Sequence, residues 1–197
     1  PLFCCFIGEC IMKHAPGQVI LGKRSINIPV KNQKNTEIML FYSVNRWCMI
    51  KTQRSEAGNP DFINLTEQLD HYLSKINGEK DFFFKKHNHI DHSMKVALIY
   101  KEEIAIACGA FKQITNEVAE IKRMYVLPEQ RSKGVASKLL ISLEDWAREL
   151  GFKYSRLETA KSMIDAVALY LKNGYQVIPN YAPYIGEESS ICFEKKL

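Results

Sequence analysis

The chain has 197 residues, 46% of them hydrophobic and 25% charged, which is typical of a folded globular protein with one core and room for an appendage. No apolar run reaches the 18 or so residues that span a bilayer, so we expect no membrane partner. The formal net charge of +5 is concentrated in residues 1–48, where six Lys or Arg face two acids. The nearly neutral remainder predicts no nucleic-acid partner.

Residues 1–48 differ from the rest of the chain. They show scattered glycines and prolines and no sustained period of 2 or 3.6. The first residue is Pro1, whereas Met49 stands where the first convincing strand begins. We therefore interpret residues 1–48 as an extension outside the core, from in-frame upstream sequence or the tail of a longer protein, and residues 49–197 as the domain.

The six cysteines have no spacing typical of a disulfide framework. Cys108 and Cys192 lie in apolar runs, where a thiol usually serves as a small buried side chain. The cysteines thus favour a reducing compartment, and we expect a cytoplasmic protein.

In chain order, the domain opens with a strand near residues 49–53. Asn59, Pro60 and Asp61 supply a helix start, and Gly78 supplies a stop. Apolar side chains recur between them at spacings of three and four, which predicts an amphipathic helix. Three apolar runs follow, and they predict three consecutive antiparallel strands over residues 96–100, 104–111 and 118–127.

The second half of the domain alternates between helices and strands. The pattern predicts a helix from Val135 to Leu150, a strand over 153–158, a helix over 162–172, and strands over 175–178 and 190–194. The order β, α, three β, α, β, α, two β predicts an α/β (α+β) domain with a mixed sheet.

Between the third strand and the second helix lies a short basic loop, Arg131 to Ala136. Unpaired backbone amides at a helix start, together with the helix dipole, form a cradle for an anion such as a diphosphate. Gly134 allows close backbone approach, and Arg131 and Lys133 add charge at the rim. The loop is neither a Walker loop nor a Gly-x-Gly-x-x-Gly motif, and by itself it also fits an ordinary helix N-terminus.

The setting of this loop is more specific. The strand Ala119 to Val126, the loop, the strand ending Leu157-Glu158-Thr159, and the segment Ala168 to Tyr175 together resemble the GNAT superfamily of N-acetyltransferases. The resemblance covers residues 49–197. It implies a GNAT-like acyl-CoA N-acyltransferase fold, with helices flanking a mixed central sheet whose third antiparallel strand and next parallel strand splay apart.

The resemblance also implies acetyl-CoA as co-substrate and no metal. The loop residues Arg131, Ser132, Lys133, Gly134, Val135 and Ala136 would bind its pyrophosphate. The backbone of the strand edge would bind the acetyl carbonyl and the pantetheine arm, through Met124, Tyr125 and Val126.

The resemblance further suggests catalytic residues. Tyr170 matches the tyrosine that is often assigned as the acid beside the CoA sulfur, and Glu120 matches a strand position where many members carry a catalytic glutamate. The sequence is equally consistent with Glu120 as an exposed carboxylate on the strand. Met163 stands where many relatives have an asparagine, so a side-chain hydrogen bond to the co-substrate does not carry over.

Weaker candidates lie on the acceptor side. Glu158 could bind the substrate ammonium, and Tyr181, Tyr184 and Glu187 are candidates for recognising a cationic amine. The histidines between residues 87 and 92 have no metal-ligand spacing, and a polar loop fits them better.

These observations predict an enzyme that transfers acetyl from acetyl-CoA to an amine, by direct attack, with a small molecule as acceptor. The alternatives are a protein N-terminal or lysine acetyltransferase, and an acyl-CoA-binding module without activity. A homodimer is compatible with such a domain, although the sequence does not decide the oligomeric state.

Overall fold

The computed structural model describes residues 13–14, 18–21, 24–27 and 50–197, apart from 79–81, 83, 85 and 87. The chain divides into two units, 1–48 and 49–197. In the first unit, three short strands form an antiparallel sheet: β1 (Lys13–His14), β2 (Gln18–Leu21) and β3 (Arg24–Asn27). The sequence analysis places no element there, because strands of two to four residues are too short to show a period.

The second unit is built on a seven-stranded mixed sheet, and its elements follow the predicted order. They are β4 (Ile50–Glu56), α1 (Pro60–Asn77), β5 (Lys95–Lys101), β6 (Ile104–Gln113), β7 (Val118–Val126), α2 (Val135–Glu149), β8 (Tyr154–Ala160), α3 (Ile164–Lys172), β9 (Gln176–Ile178) and β10 (Ser190–Lys196). The order across the sheet is β4-β5-β6-β7-β8-β10-β9. Only the β7–β8 pair among these is parallel. The predicted α/β class is confirmed.

Two helix starts illustrate how closely the predicted bounds agree with the structure. At α1 the side chain of Asn59 accepts hydrogen bonds from the amides of Asp61 and Phe62, so the predicted cap is present. At α3 the helix begins two residues later than predicted, at Ile164. Met163 precedes it with a non-helical backbone and gives no side-chain cap.

The sheet is covered on both faces. Alternate residues of β5 point to opposite sides: Ala97 and Ile99 belong to the cluster that contains Leu139 and Leu143 of α2. Val96 and Leu98 instead pack with side chains of α1, namely Phe62, Leu65 and Leu69. In the described ranges, no helix is both long and apolar enough to cross a membrane.

Candidate active site

The two parallel strands at the centre of the sheet separate after a short seam. Register pairs join β7 to β8 only at Val118–Tyr154, Ala119–Ser155 and Glu120–Arg156, while β7 continues to Val126 and β8 to Ala160. A cavity opens beyond the seam. Side chains from α1, the segment between α1 and β5, β7, β8, the start and body of α3, and the β9–β10 loop line it. They include Leu69, Leu73, Phe84, Glu120, Lys122, Glu158, Met163, Tyr170 and Tyr184. The splay that the resemblance implies is therefore present.

A bulge shapes β7 beside this cavity. The register with β6 shifts between Cys108 and Ala110, and Arg123 has a φ of 60°. Gly109 makes the bulge possible, because a Cβ there would lie 2.7 Å from the Met124 sulfur and 2.9 Å from a methyl carbon of Leu143. Absence of a side chain at residue 109 thus lets Met124 pack against the sheet.

The side chain of Arg123 ties the bulge to α1. Its two terminal nitrogens donate to the carboxylate of Asp70 at 2.7 and 2.8 Å, and one also donates to the Thr66 carbonyl at 3.0 Å. The Arg123 side chain is 2% exposed, whereas that of Asp70 is 45% exposed. A bidentate pair of this kind fixes orientation, so the ion pair holds the edge of β7 in position against the helix.

The loop before α2 has the backbone of an anion cradle. Ser132 and Gly134 have φ values of 59° and 78°, and Gly134 caps α2 without a side-chain hydrogen bond. Within the described part of the chain, the amides of residues 132–137 have no acceptor, whereas Lys138 N donates to Gly134 O at 3.1 Å. A Cβ built on Gly134 meets nothing within 4 Å. Consecutive free amides at a helix start suit a phosphate group, so the loop fits the pyrophosphate of acetyl-CoA.

The basic side chains of this loop turn back toward the protein. Arg131 Nε donates to the Val126 carbonyl at 3.1 Å, and its guanidinium lies 5.2 Å from the ring centre of Tyr72 and 5.8 Å from that of Tyr125. Lys133 Nζ donates to the Glu129 carbonyl at 2.7 Å. Both residues remain exposed. They stabilise the loop and the end of β7 in addition to carrying charge.

Glu120 is buried at the cavity and surrounded by donors. Its Oε1 accepts a hydrogen bond from Tyr181 at 2.9 Å and a longer one from Tyr184 at 3.5 Å. Its Oε2 lies 3.6 Å from the ammonium of Lys122 and 3.7 Å from that of Lys112. Its side chain is 4% exposed, so the reading of Glu120 as an exposed strand carboxylate is wrong. Four donor groups therefore surround this carboxylate.

Glu158 faces the same cavity from β8 with fewer donors. Burial raises the pKa of its carboxyl, although a hydrogen bond from Ser190 and the charge of Lys122 act in the opposite direction. A carboxylate whose pKa is raised accepts a proton more readily near neutral pH. The structure therefore brings Glu120 and Glu158 together in one cavity, in different environments.

Tyr170 reaches the cavity from α3. Its ring packs against Tyr175 and Phe193, with centroids 5.8 and 5.9 Å apart. Burial, followed by the charge of Glu158, raises the pKa of the phenol, so Tyr170 remains protonated across the neutral range. In the described ranges its hydroxyl has no hydrogen-bond partner. The structure thus places a protonated phenol in the cavity wall.

The remaining predicted residues divide into two groups. Tyr184 lines the cavity, and Tyr181 contacts it indirectly, through a hydrogen bond to Glu120. Glu187 accepts hydrogen bonds from the amide and hydroxyl of Ser189 and is not among the lining residues. The sequence analysis does not single out Lys122. Its position two residues after Glu120, on the same face of the strand, is the signal that could have indicated it.

The mixed sheet with its splayed central strands has the architecture of the acyl-CoA N-acyltransferase fold, and comparisons with known proteins agree. The sequence model of the family described as Acetyltransferase (GNAT) matches residues 62–175, more than half of the chain. The chain belongs to this family. The expected GNAT resemblance is confirmed.

Individual relatives cover most of the second unit. An IAA acetyltransferase of Azospirillum brasilense is 29% identical over 143 residues, which is 68% of this chain and 90% of that protein. The solved structure of a putative acyl-CoA N-acyltransferase from Klebsiella pneumoniae is 29% identical, has a TM-score of 0.64, and is matched over 76% of this chain and 98% of its own. A GNAT family acetyltransferase from Elizabethkingia anophelis, solved with acetyl-CoA bound, shares the fold with a TM-score of 0.54, at 21% identity and over 76% and 99% of the two chains.

Proposed function

We propose that the protein transfers the acetyl group of acetyl-CoA to the amine of a small molecule, in the cytoplasm. The splayed seam between β7 and β8 supports this proposal. A cradle of free amides lies at one end of it, and buried acids and a phenol lie at the other. The described cysteines, Cys108 and Cys192, are buried free thiols, in keeping with a reducing compartment.

Each demand of the reaction has a candidate group. Acetyl-CoA supplies the thioester. The amine nitrogen forms a bond to the acetyl carbon as the carbon–sulfur bond breaks, one amine proton passes to a carboxylate, and the departing thiolate takes the phenol proton of Tyr170. The backbone of Met124, Tyr125 and Val126 lies on the open edge of β7, where it can bind the acetyl and pantetheine groups.

For the proton of the amine we propose Glu158 in preference to Glu120. Two hydroxyls and two ammonium groups surround the carboxylate of Glu120, so groups of the protein already occupy its oxygens. Glu158 has one hydroxyl donor, Ser190, and burial raises its pKa. Its environment suits proton uptake near neutral pH.

The pH dependence of kcat/KM distinguishes the two acids. A base acts only when it is ionised, so activity should fall as the pH drops through a pKa above the ordinary range of a glutamate. We expect Glu158→Gln to lower kcat/KM by about 10²-fold at neutral pH and to remove this acid limb. Glu120→Gln should retain the limb. Loss of the limb in Glu120→Gln alone would assign the base to Glu120, as the sequence resemblance suggests.

The cradle is tested by a pair of glycine substitutions at the two ends of α2. Gly134 and Gly151 have φ values of 78° and 91°, and neither would place a Cβ within 4 Å of another group. Alanine at either position should therefore cost about 1 kcal/mol of folding free energy. Only Gly134→Ala should raise the Kd of acetyl-CoA, by about tenfold, because it fills the cradle. Calorimetric titration with acetyl-CoA measures the Kd of both variants, and equal Kd values would contradict the assignment of the loop as the phosphate cradle.

The overall proposal is tested by CoA release over a panel of small amines and peptides. Release that depends on a small amine supports it. Release with peptides alone favours a protein acetyltransferase, and acetyl-CoA binding without release with any acceptor favours a module that has lost its activity.

A further inference from the structure

Lys122 places a buried ammonium group in the lining of the cavity. It lies on β7, beyond the last pair of the seam, and its side chain is 5% exposed. It is one of the residues that line the cavity. Burial of a charge without full compensation is costly, so the partners of this ammonium decide its role.

The protein satisfies this ammonium only in part. Lys122 Nζ donates to the Tyr184 hydroxyl at 2.9 Å, and its nearest recorded carboxylate oxygen, on Glu120, is 3.6 Å away, beyond good hydrogen-bond distance. An ammonium has three hydrogens to donate. Among the described residues, the Lys122 ammonium thus forms one short hydrogen bond, although it can form three.

The neighbouring carboxylates leave donor positions of Lys122 unfilled among the described residues. Lys112 and Lys122 share the carboxylate of Glu120, which also accepts from Tyr181. The neighbouring Arg123 is paired with Asp70. Burial lowers the pKa of Lys122, and the charges of Glu120 and Glu158 act in the opposite direction. The unused hydrogens of Lys122 can therefore donate to an anionic group of a ligand in the cavity.

Part of the cavity lining is apolar. Leu69 and Leu73 of α1 and the buried Phe84 belong to it. A ligand that contacts these side chains and Lys122 would combine an apolar body with an anionic group.

We propose that Lys122 binds a carboxylate of the acceptor, so that the preferred acceptor is an amine that also carries a carboxylate, as an apolar amino acid does. This inference rests on the proposed acetyl transfer. It makes Lys122 a residue that determines specificity, whereas Tyr170 and Glu158 serve the proton transfers.

Matched acceptors test the inference. Phenylalanine, leucine and methionine are compared with the amines that lack only the carboxylate, namely 2-phenylethylamine, 3-methylbutylamine and 3-(methylthio)propylamine. For at least one pair, the wild-type enzyme should show a kcat/KM roughly 10- to 100-fold higher for the amino acid, the range that a charged hydrogen bond contributes. Lys122→Met should reduce that ratio to near one, mainly through KM.

Lys112→Met is the matched control. Lys112 lies 3.7 Å from the same carboxylate but is 30% exposed and does not line the cavity, so its removal should change the ratio less than twofold. A wild-type enzyme that prefers none of the amino acids, or a preference that survives in Lys122→Met, would overturn the inference.

A binding measurement keeps this result separate from catalysis. With CoA present, calorimetry compares the three N-acetylated amino acids with the N-acetylated amines. Tighter binding of the carboxylates to the wild type, lost in Lys122→Met, supports the role of Lys122 even if no acceptor is turned over. In that case the proposed acetyl transfer fails and the anion site stands. Equal binding of both sets overturns the anion site.

Discussion

Replacing Tyr170 with phenylalanine is expected to lower kcat by about 10² to 10³ while the Kd of acetyl-CoA stays within about twofold, which is the contribution of a general acid. The phenol lines the cavity, it remains protonated because burial and the charge of Glu158 raise its pKa, and its proton is therefore available to the departing thiolate. Single-turnover kinetics with acetyl-CoA and an amine measure the effect on the chemical step.

Tyr175 provides the control for this substitution. It is equally buried, it packs against Tyr170 with ring centroids 5.8 Å apart, and its hydroxyl is 2.7 Å from that of Ser155. Because Tyr175 is not among the cavity residues, Tyr175→Phe should cost about 1 kcal/mol of stability and leave kcat nearly unchanged. Unaltered turnover in Tyr170→Phe, or equal losses in both variants, would reject Tyr170 as the acid.

Removing the carboxylate of Asp70 is expected to have the largest effect on stability. In Asp70→Ala the guanidinium of Arg123, which is 2% exposed, would keep only the Thr66 carbonyl as a partner. An uncompensated buried charge typically costs about 3 kcal/mol. We expect a decrease of that size in the free energy of unfolding, measured by urea denaturation.

The ion pair between Arg148 and Asp145 is a matched control for Asp70. Its side chains are 49% and 55% exposed, and exposed pairs contribute about 0 to 1 kcal/mol, so Asp145→Ala should change the unfolding free energy little. A similar small change in Asp70→Ala would show that the pair with Arg123 is not needed to hold the bulge of β7.

Local patterns predict the order of elements well in this domain. The spacing of apolar residues in α1, the Asn59 cap and the runs of β5 to β7 are signals carried within short stretches of sequence, and the structure has each of them. The start of α3 depends on the backbone of Met163, which no propensity specifies, and it is displaced by two residues.

Contacts between side chains that are far apart in the sequence cannot be predicted from such local patterns. Asp70 and Arg123 are 53 residues apart, and Glu120 and Tyr181 are 61 apart. Such pairs arise from the bulge at residue 123 and the placement of the β9–β10 loop, which depend on the whole sheet. The sequence could therefore indicate Glu120 and Tyr170 through resemblance, but it could not rank Glu120 against Glu158, because burial and donors decide that ranking.

The short seam between β7 and β8 has a mechanical consequence. Three register pairs join β7 and β8 at one end, so the two halves of the sheet are connected there and separate beyond it. A molecule bound between the two halves would contact groups on both sides, and its binding would oppose their separation by a free energy that grows with the logarithm of its concentration over Kd. Substrate occupancy should therefore stiffen the middle of the domain, a part that in most sheets is rigid from folding alone.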